Sequence, residues 1–127
     1  MPHGFVAAAL QGRGIDVHGG AQTLDVLDVR DAAELLACAM LLPFDACSPV
    51  LNAGSARPVS IEQLAHLTTQ IALDTRGLKV PVRAVPAGPM PSFGMTNALA
   101  REHLGWQPRH DLRDIFAEAF DQIDPPA

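Results

Sequence analysis

Residues 60–71, SIEQLAHLTTQI, carry the strongest local signal in the sequence. Ser60 is a favoured N-cap residue, and Gln63 follows three positions later, as in a capping box. Four apolar residues then recur at helical spacing: Ile61, Leu64, Leu67 and Ile71. This pattern predicts a helix that begins after Ser60 and packs one apolar face against a core.

Elements of both kinds flank this helix. On its N-terminal side the sequence predicts helix 5–10, strand 15–18, an extended segment 24–29, helix 30–42 and strand 50–52. On its C-terminal side it predicts an edge strand at 80–85, an irregular loop at 86–95, and helices at 97–104 and 111–123. This order predicts an α/β fold, in which helices pack on a small mixed or parallel sheet of three or four strands.

Helix 30–42, RDAAELLACAMLL, is apolar around most of its circumference. A helix of this kind is usually surrounded by other parts of a protein, so we expect it to be largely buried. Asp31 and Glu34 fall in its first turn, where negative charge suits the helix dipole. In the last predicted helix, Asp111 is the expected N-cap residue.

Length and composition exclude several classes of protein. The chain has 127 residues, a net charge of −5, 48% hydrophobic residues and 18% charged residues, so we expect residues 1–127 to form a single domain. No basic stripe is present, which argues against a nucleic-acid partner. The longest apolar run, at 35–42, is too short to cross a membrane. Cys38 and Cys47 make no disulfide framework, and we expect a cytoplasmic protein with reduced thiols.

The sequence predicts no catalytic, cofactor-binding or metal-ligating residue of its own. It contains no tyrosine and one lysine, Lys79, so a tyrosine base is excluded. The glycines at 12, 14, 19 and 20 lack the spacing of a dinucleotide loop and are read as turns. The five histidines and two cysteines lack metal-ligand spacing, and Cys38 is read as a small core residue. Asp25 and Asp28 are read as solvated or capping carboxylates.

Four stretches in the same order resemble the C-terminal, substrate-binding part of the NAD-dependent epimerase/dehydratase family, the extended short-chain dehydrogenases. The first carries Gln22, Asp25, Val29, Asp31 and Ala33 within FVAAALQGRGIDVHGGAQTLDVLDVRDAAELL. The second carries Asn52, Gly54, Ser60 and Leu64 within VLNAGSARPVSIEQLA. The third is the Leu-Gly-Trp-x-Pro element, here Leu104, Gly105, Trp106 and Pro108. The fourth is the amphipathic helix that follows it.

The resemblance implies a partner as well as a fold. In the family, the N-terminal half holds the Gly-rich loop for NAD(P) and the Tyr-x-x-x-Lys motif. Its tyrosine is the acid/base during hydride transfer, and its lysine lowers the pKa of the tyrosine. This chain would therefore bind no cofactor alone. It would help to form a small-molecule substrate pocket, with an N-terminal dinucleotide-binding half or a second copy as its partner. The resemblance and the apolar loop together suggest four substrate-binding residues: Gln22, Asn52, Met90 and Phe93.

The sequence departs from the family at two places that usually carry arginine. Leu24 stands at one, and the loop PAGPMPSFGM at 86–95 contains none. Both departures favour a smaller, less anionic substrate than a nucleotide diphosphate. For Met90, Phe93 and Met95 themselves, packing onto the core is the favoured interpretation, and contact with a ligand is the alternative.

Two other interpretations of the whole chain remain open at this stage. It could be a free-standing module that binds a small ligand or another protein without enzyme activity, or a truncated product without function. The substrate-pocket interpretation predicts an exposed apolar face for the partner. The Ala- and Leu-rich stretches 4–10 and 32–42 are its candidates.

Overall fold

A computed structural model describes residues 2–43 and 50–124. Nine elements follow one another along the chain: α1 Pro2–Leu10, β1 Ile15–His18, β2 Thr23–Leu24, α2 Val29–Met40, β3 Val59–Ser60, α3 Ile61–Arg76, β4 Val82–Val85, α4 Ala98–Leu104 and α5 Leu112–Ile123. All five predicted helices are present, and residues 86–97 have no regular structure. The fold is therefore mixed α/β, as predicted. Cys47 lies outside the described residues.

The strands form two separate pairs instead of the predicted sheet of three or four strands. β1 and β4 run parallel, from Ile15 beside Val82 to His18 beside Val85. β2 and β3 run antiparallel, with Thr23 beside Ser60. The predicted strand 50–52 is not formed, because a strand needs a hydrogen-bonded neighbour and none of the described residues pairs with this segment. The predicted extended segment 24–29 contributes only its first residue to β2.

The main core lies where α1, α3 and α5 meet above β1. Its fully buried side chains include Val6, Ile15, Leu64, Ile71, Phe116 and Phe120. The predicted apolar face of α3 is confirmed, although Leu67 at its margin is only half-buried. Val6 and Ala9 have no exposed surface, because α1 packs against α3 and α5. The expectation that residues 4–10 form an exposed apolar face is therefore wrong.

Local hydrogen bonds begin α3 and α5 at the predicted residues. The Ser60 hydroxyl accepts from the Gln63 amide at 3.1 Å, and the Gln63 side chain accepts from the Ser60 amide at 2.9 Å. The Asp111 carboxylate accepts from the Asp114 amide at 2.9 Å. Such caps satisfy amides that have no partner inside the helix.

Helix α2 is much more exposed than its composition predicts. Only Asp31 and Leu35 are buried, whereas Val29, Leu36 and Met40 are 78%, 66% and 85% exposed. Within the described residues, α2 packs on one side only, where Leu35 joins a second, smaller apolar cluster with Ala100 and Trp106. Apolar periodicity indicates which faces could be covered, but not whether a covering element is present.

Asp31 joins α2 to the segment that follows α4. Its carboxylate is 1% exposed and accepts from the His110 amide at 3.1 Å, while the His110 Nδ1 lies 2.9 Å from its second oxygen. Its main-chain carbonyl accepts from the Trp106 indole at 3.1 Å. Burial alone would raise the pKa of Asp31, but the hydrogen bonds from His110 lower it below the usual value. The Leu-Gly-Trp-x-Pro element is thus anchored on the first turn of α2.

Asp28 begins α2 and is the centre of an ion-pair network. Its carboxylate accepts from the Arg30 amide at 2.8 Å and from the Arg30 guanidinium at 2.8 and 2.9 Å. Arg30 also reaches Glu118 of α5 at 2.7 Å. The hydrogen bonds from Arg30 lower the pKa of Asp28 from 3.8 to about 2, although burial opposes the shift.

We predict that Asp28→Asn lowers stability at neutral pH and flattens its pH dependence in acid. Because the folded-state pKa is depressed, the contribution of Asp28 is complete above about pH 4 and is lost as the pH falls towards 2. Arg30 is half-exposed, which limits the loss to about 1 kcal/mol. Urea unfolding between pH 2 and 7 measures it, with Asp114→Asn as the control. An unchanged pH profile in Asp28→Asn would contradict the prediction.

Candidate functional site

The loop 86–95 is held against β2 by three hydrogen bonds. The Thr23 amide donates to the Ser92 hydroxyl at 3.0 Å, and the Phe93 amide donates to the Thr23 carbonyl at 2.8 Å. The Thr23 hydroxyl donates to the Phe93 carbonyl at a longer 3.4 Å. The loop therefore has a defined place although it lacks regular structure.

Three of the four predicted substrate residues come together on this surface, which we call the loop surface: Gln22, Met90 and Phe93. The Gln22 side-chain amide donates to the His18 carbonyl at 2.8 Å and lies 3.3 Å from the Met90 sulfur. Met90, Phe93 and Met95 are 50%, 59% and 51% exposed and belong to neither core cluster, so the expectation that they pack onto the core is wrong. Because they keep half of their surface in contact with water, the loop surface can offer a ligand both apolar area and an amide.

Asn52, the fourth predicted residue, does not join the loop surface. It is exposed, and none of the hydrogen bonds among the described residues involves it. Its neighbour Gly54 is instead buried close to Met95. The Asn97 side-chain amide donates to the Gly54 carbonyl at 3.0 Å and fixes this approach.

Asp25 holds the segment around Gly54 and the end of the loop together. One carboxylate oxygen accepts from the Ser55 amide at 2.7 Å, and the other accepts from the Met95 amide at 3.0 Å. Burial would raise the pKa of Asp25, but the hydrogen bonds from Ser55 and Met95 lower it below the usual value. Asp25 thus fixes the end of the loop that carries Met90 and Phe93. Sequence reasoning missed this role, since its partners are 30 and 70 positions away.

The loop surface contains no cationic group among its own residues. Leu24, which stands where the family often has arginine, is half-buried against the main core. Arg83 of β4 is held by Asp16 of β1 at 2.6 Å. The surface is therefore neutral and partly apolar.

The glycines at 12, 19 and 20 have positive φ values of 66°, 76° and 85°, as the turn interpretation requires. Within residues 2–43 and 50–124, no group of three or more His, Cys, Asp or Glu side chains is arranged to hold a metal ion. Cys38 is half-buried near Trp106 and is not part of the main core.

Solved structures that share this fold include UDP-sugar 4-epimerases, one of which was solved with NAD. UDP-glucose 4-epimerase from Thermotoga maritima, solved with UDP-glucose, matches 94% of this chain with a TM-score of 0.75 and 22% identity. UDP-glucose 4-epimerase from Thermus thermophilus, solved with NAD, matches 94% with a TM-score of 0.75 and 17% identity. UDP-N-acetylglucosamine 4-epimerase from Bacillus cereus matches 97% with a TM-score of 0.74 and 16% identity. No protein-family model and no curated protein matches the sequence.

The match covers only part of each of these enzymes. The chain spans 37%, 38% and 40% of their respective lengths. At these levels of identity, the similarity establishes a shared fold only: this chain has the architecture of part of these UDP-sugar 4-epimerases. None of the helices described here has the length and apolar character needed to cross a membrane.

We predict that Gly54→Ala disrupts the support of the loop surface. A Cβ at this position would lie 2.6 Å from the Met95 Cβ and 3.2 Å from the Met95 carbonyl oxygen, so the backbone must move. Overpacking of this kind costs about 1–3 kcal/mol. Thermal or urea unfolding measures the loss.

Gly88→Ala is the matched control, because Gly88 lies in the same loop as Met95 and a Cβ at this position would meet no atom within 4 Å. If the Gly54 and Gly88 variants were equally stable, a Cβ at position 54 would not overpack against Met95, and the prediction would be wrong.

Proposed function

We propose that residues 1–127 form one domain that supplies the substrate-pocket side of an NAD(P)-dependent epimerase, dehydratase or reductase. The observation that carries the proposal is the match of 94% of this chain to 37% of a UDP-glucose 4-epimerase, at a TM-score of 0.75. The four motifs in family order support the C-terminal assignment. Because this stretch has no tyrosine, the acid–base group and NAD(P) would come from a dinucleotide-binding partner.

In this proposal, the loop surface binds the substrate. Gln22 offers an amide, Met90 and Phe93 offer apolar contact, and Asn52 remains a candidate from the neighbouring segment. The absence of cationic side chains from the loop surface favours a neutral or weakly charged substrate, such as a sugar or alcohol bearing an apolar group. A nucleotide diphosphate would bring two negative phosphates to a site without a counter-charge, and burying them there would be unfavourable.

We predict that the chain prefers a neutral aryl glycoside over UDP-glucose. Backbone amide NMR titrations with phenyl glucoside and with UDP-glucose, at equal concentrations, measure the preference. We expect the glycoside alone to shift the amides of Gln22, Thr23 and Phe93, with Phe93→Ala weakening it by about tenfold through lost apolar contact.

Leu99→Ala is a control for this titration, because Leu99 is 44% exposed on α4 and lies outside the loop surface. Tight binding of UDP-glucose at the same amides would overturn the proposed substrate class. The partner role could still hold in that case.

The exposed face of α2 is the proposed partner surface. Val29, Leu36 and Met40 recur at intervals of seven and four residues and therefore lie along one side of the helix. Exposed apolar patches of this kind commonly mark interfaces. The proposed occupant is the dinucleotide-binding half, or a second copy when that half is absent.

We predict that the purified chain self-associates through α2. Light scattering after size-exclusion chromatography should show a dimer or larger species, and Leu36→Asp with Met40→Asp should convert it to a monomer. Two buried charges in an apolar interface cost several kcal/mol, enough to separate the copies. Leu73→Asp is the matched control, since Leu73 is 47% exposed on α3. A monomer at all concentrations would contradict the partner surface.

The alternative function is a free-standing binding module. One observation favours it: the core of α1, α3, α5 and β1 is closed within this chain, with Phe116 and Phe120 fully buried. A monomer that unfolds in one sharp transition, unaffected by NAD, would support this alternative. With either function we place the protein in the cytoplasm, where Cys38 and Cys47 would stay reduced.

A further inference from the structure

A cavity of about 380 Å³ lies where the segment after β2 meets the start of α5. Its apolar walls include Val26, Leu67 and Leu112, which are half-buried against the main core. It shares no lining residue with the loop surface. Its volume is within the range of small-molecule sites, roughly 300–1,000 Å³.

The rim of this cavity gathers positive charge in an acidic protein. Three of the eight arginines in the sequence line it: Arg57, Arg109 and Arg113. Asp111 is the carboxylate in the lining, and one of its oxygens already accepts from the Asp114 amide as the α5 cap. The cavity lining therefore holds three guanidinium groups and one carboxylate, in a chain of net charge −5.

The arginines keep donors available for a ligand. Arg109 contacts Glu34 at 2.8 Å and Arg113 contacts Asp74 at 2.8 Å, and neither carboxylate lines the cavity. Each guanidinium has five N–H donors, so one carboxylate contact leaves others unused and also orients the group. The Arg57 guanidinium makes no ion pair with any residue that the structure describes.

We propose that this cavity binds a phosphate monoester carried on an apolar body. The arginines would hold the phosphate, because a guanidinium matches two phosphate oxygens at once and a dianion suits more than one of them. Val26, Leu67 and Leu112 would contact the apolar body.

Titration of the full chain with phenyl phosphate, phenol and inorganic phosphate, followed by amide NMR, tests the proposal. Phenyl phosphate should bind at least about tenfold more tightly than either fragment, because only it uses both the arginines and the apolar walls. The shifted amides should include Val26, Arg57 and Leu112. Added salt should weaken binding, since the arginines are exposed.

Variants separate a built site from general attraction of anions. Arg57→Ala should weaken phenyl phosphate binding by about tenfold, and Arg57→Lys by less, because the charge remains without the fork of donors. Arg101→Ala, on exposed α4 and outside the cavity, should leave binding unchanged within about twofold.

Equal losses in Arg57→Ala and Arg101→Ala, or equal affinity for phenyl phosphate and inorganic phosphate, would overturn the proposal. Absence of any shift around Val26 and Leu112 would do so too. Circular dichroism confirms that each variant is folded. Because the glycoside titration reports on different amides, either proposal can fail without the other.

Discussion

The carboxylate of Asp25 fixes the end of the loop that carries Met90 and Phe93. It accepts amides from Ser55 and Met95, so a single side chain holds three segments that are distant in sequence. A partly buried carboxylate without these donors would be costly, and these amides would lose their partner without the carboxylate. Glycine at position 54 is needed for this arrangement, because a Cβ there would clash with Met95. The position of the loop end therefore depends on these hydrogen bonds.

The parts of the fold that depend on local chemistry were predictable from sequence. The capping box of Ser60 and Gln63 and the apolar face of α3 involve residues within one or two turns, so periodicity and side-chain type determine them. The prediction of strand 50–52 is wrong for the opposite reason, because a strand needs a hydrogen-bonded partner elsewhere in the chain. The predicted burial of α2 is wrong for a related reason, because an apolar circumference does not indicate which elements pack around the helix.

The candidate site shows the same division. Gln22, Met90 and Phe93 were identified by residue type and motif, and the structure places them on one surface. That arrangement leaves their role in binding a prediction. The supporting carboxylates of Asp25 and Asp31 were not identified, because nothing near them in sequence indicates which distant amides they accept. The signal that could have indicated their role is their position as acidic residues within the first family-like motif.

The packing of α1 on α5 has a consequence for biosynthesis. Val6 lies near the beginning of the chain and Phe116 and Phe120 near its end, yet all three belong to one core. Because synthesis proceeds from the N-terminal side, α1 and α3 emerge before α5. Their surfaces that pack on α5 are uncovered until α5 is made. This core can close only after α5 has left the exit tunnel, so α1, α3 and α5 should fold together once α5 has emerged.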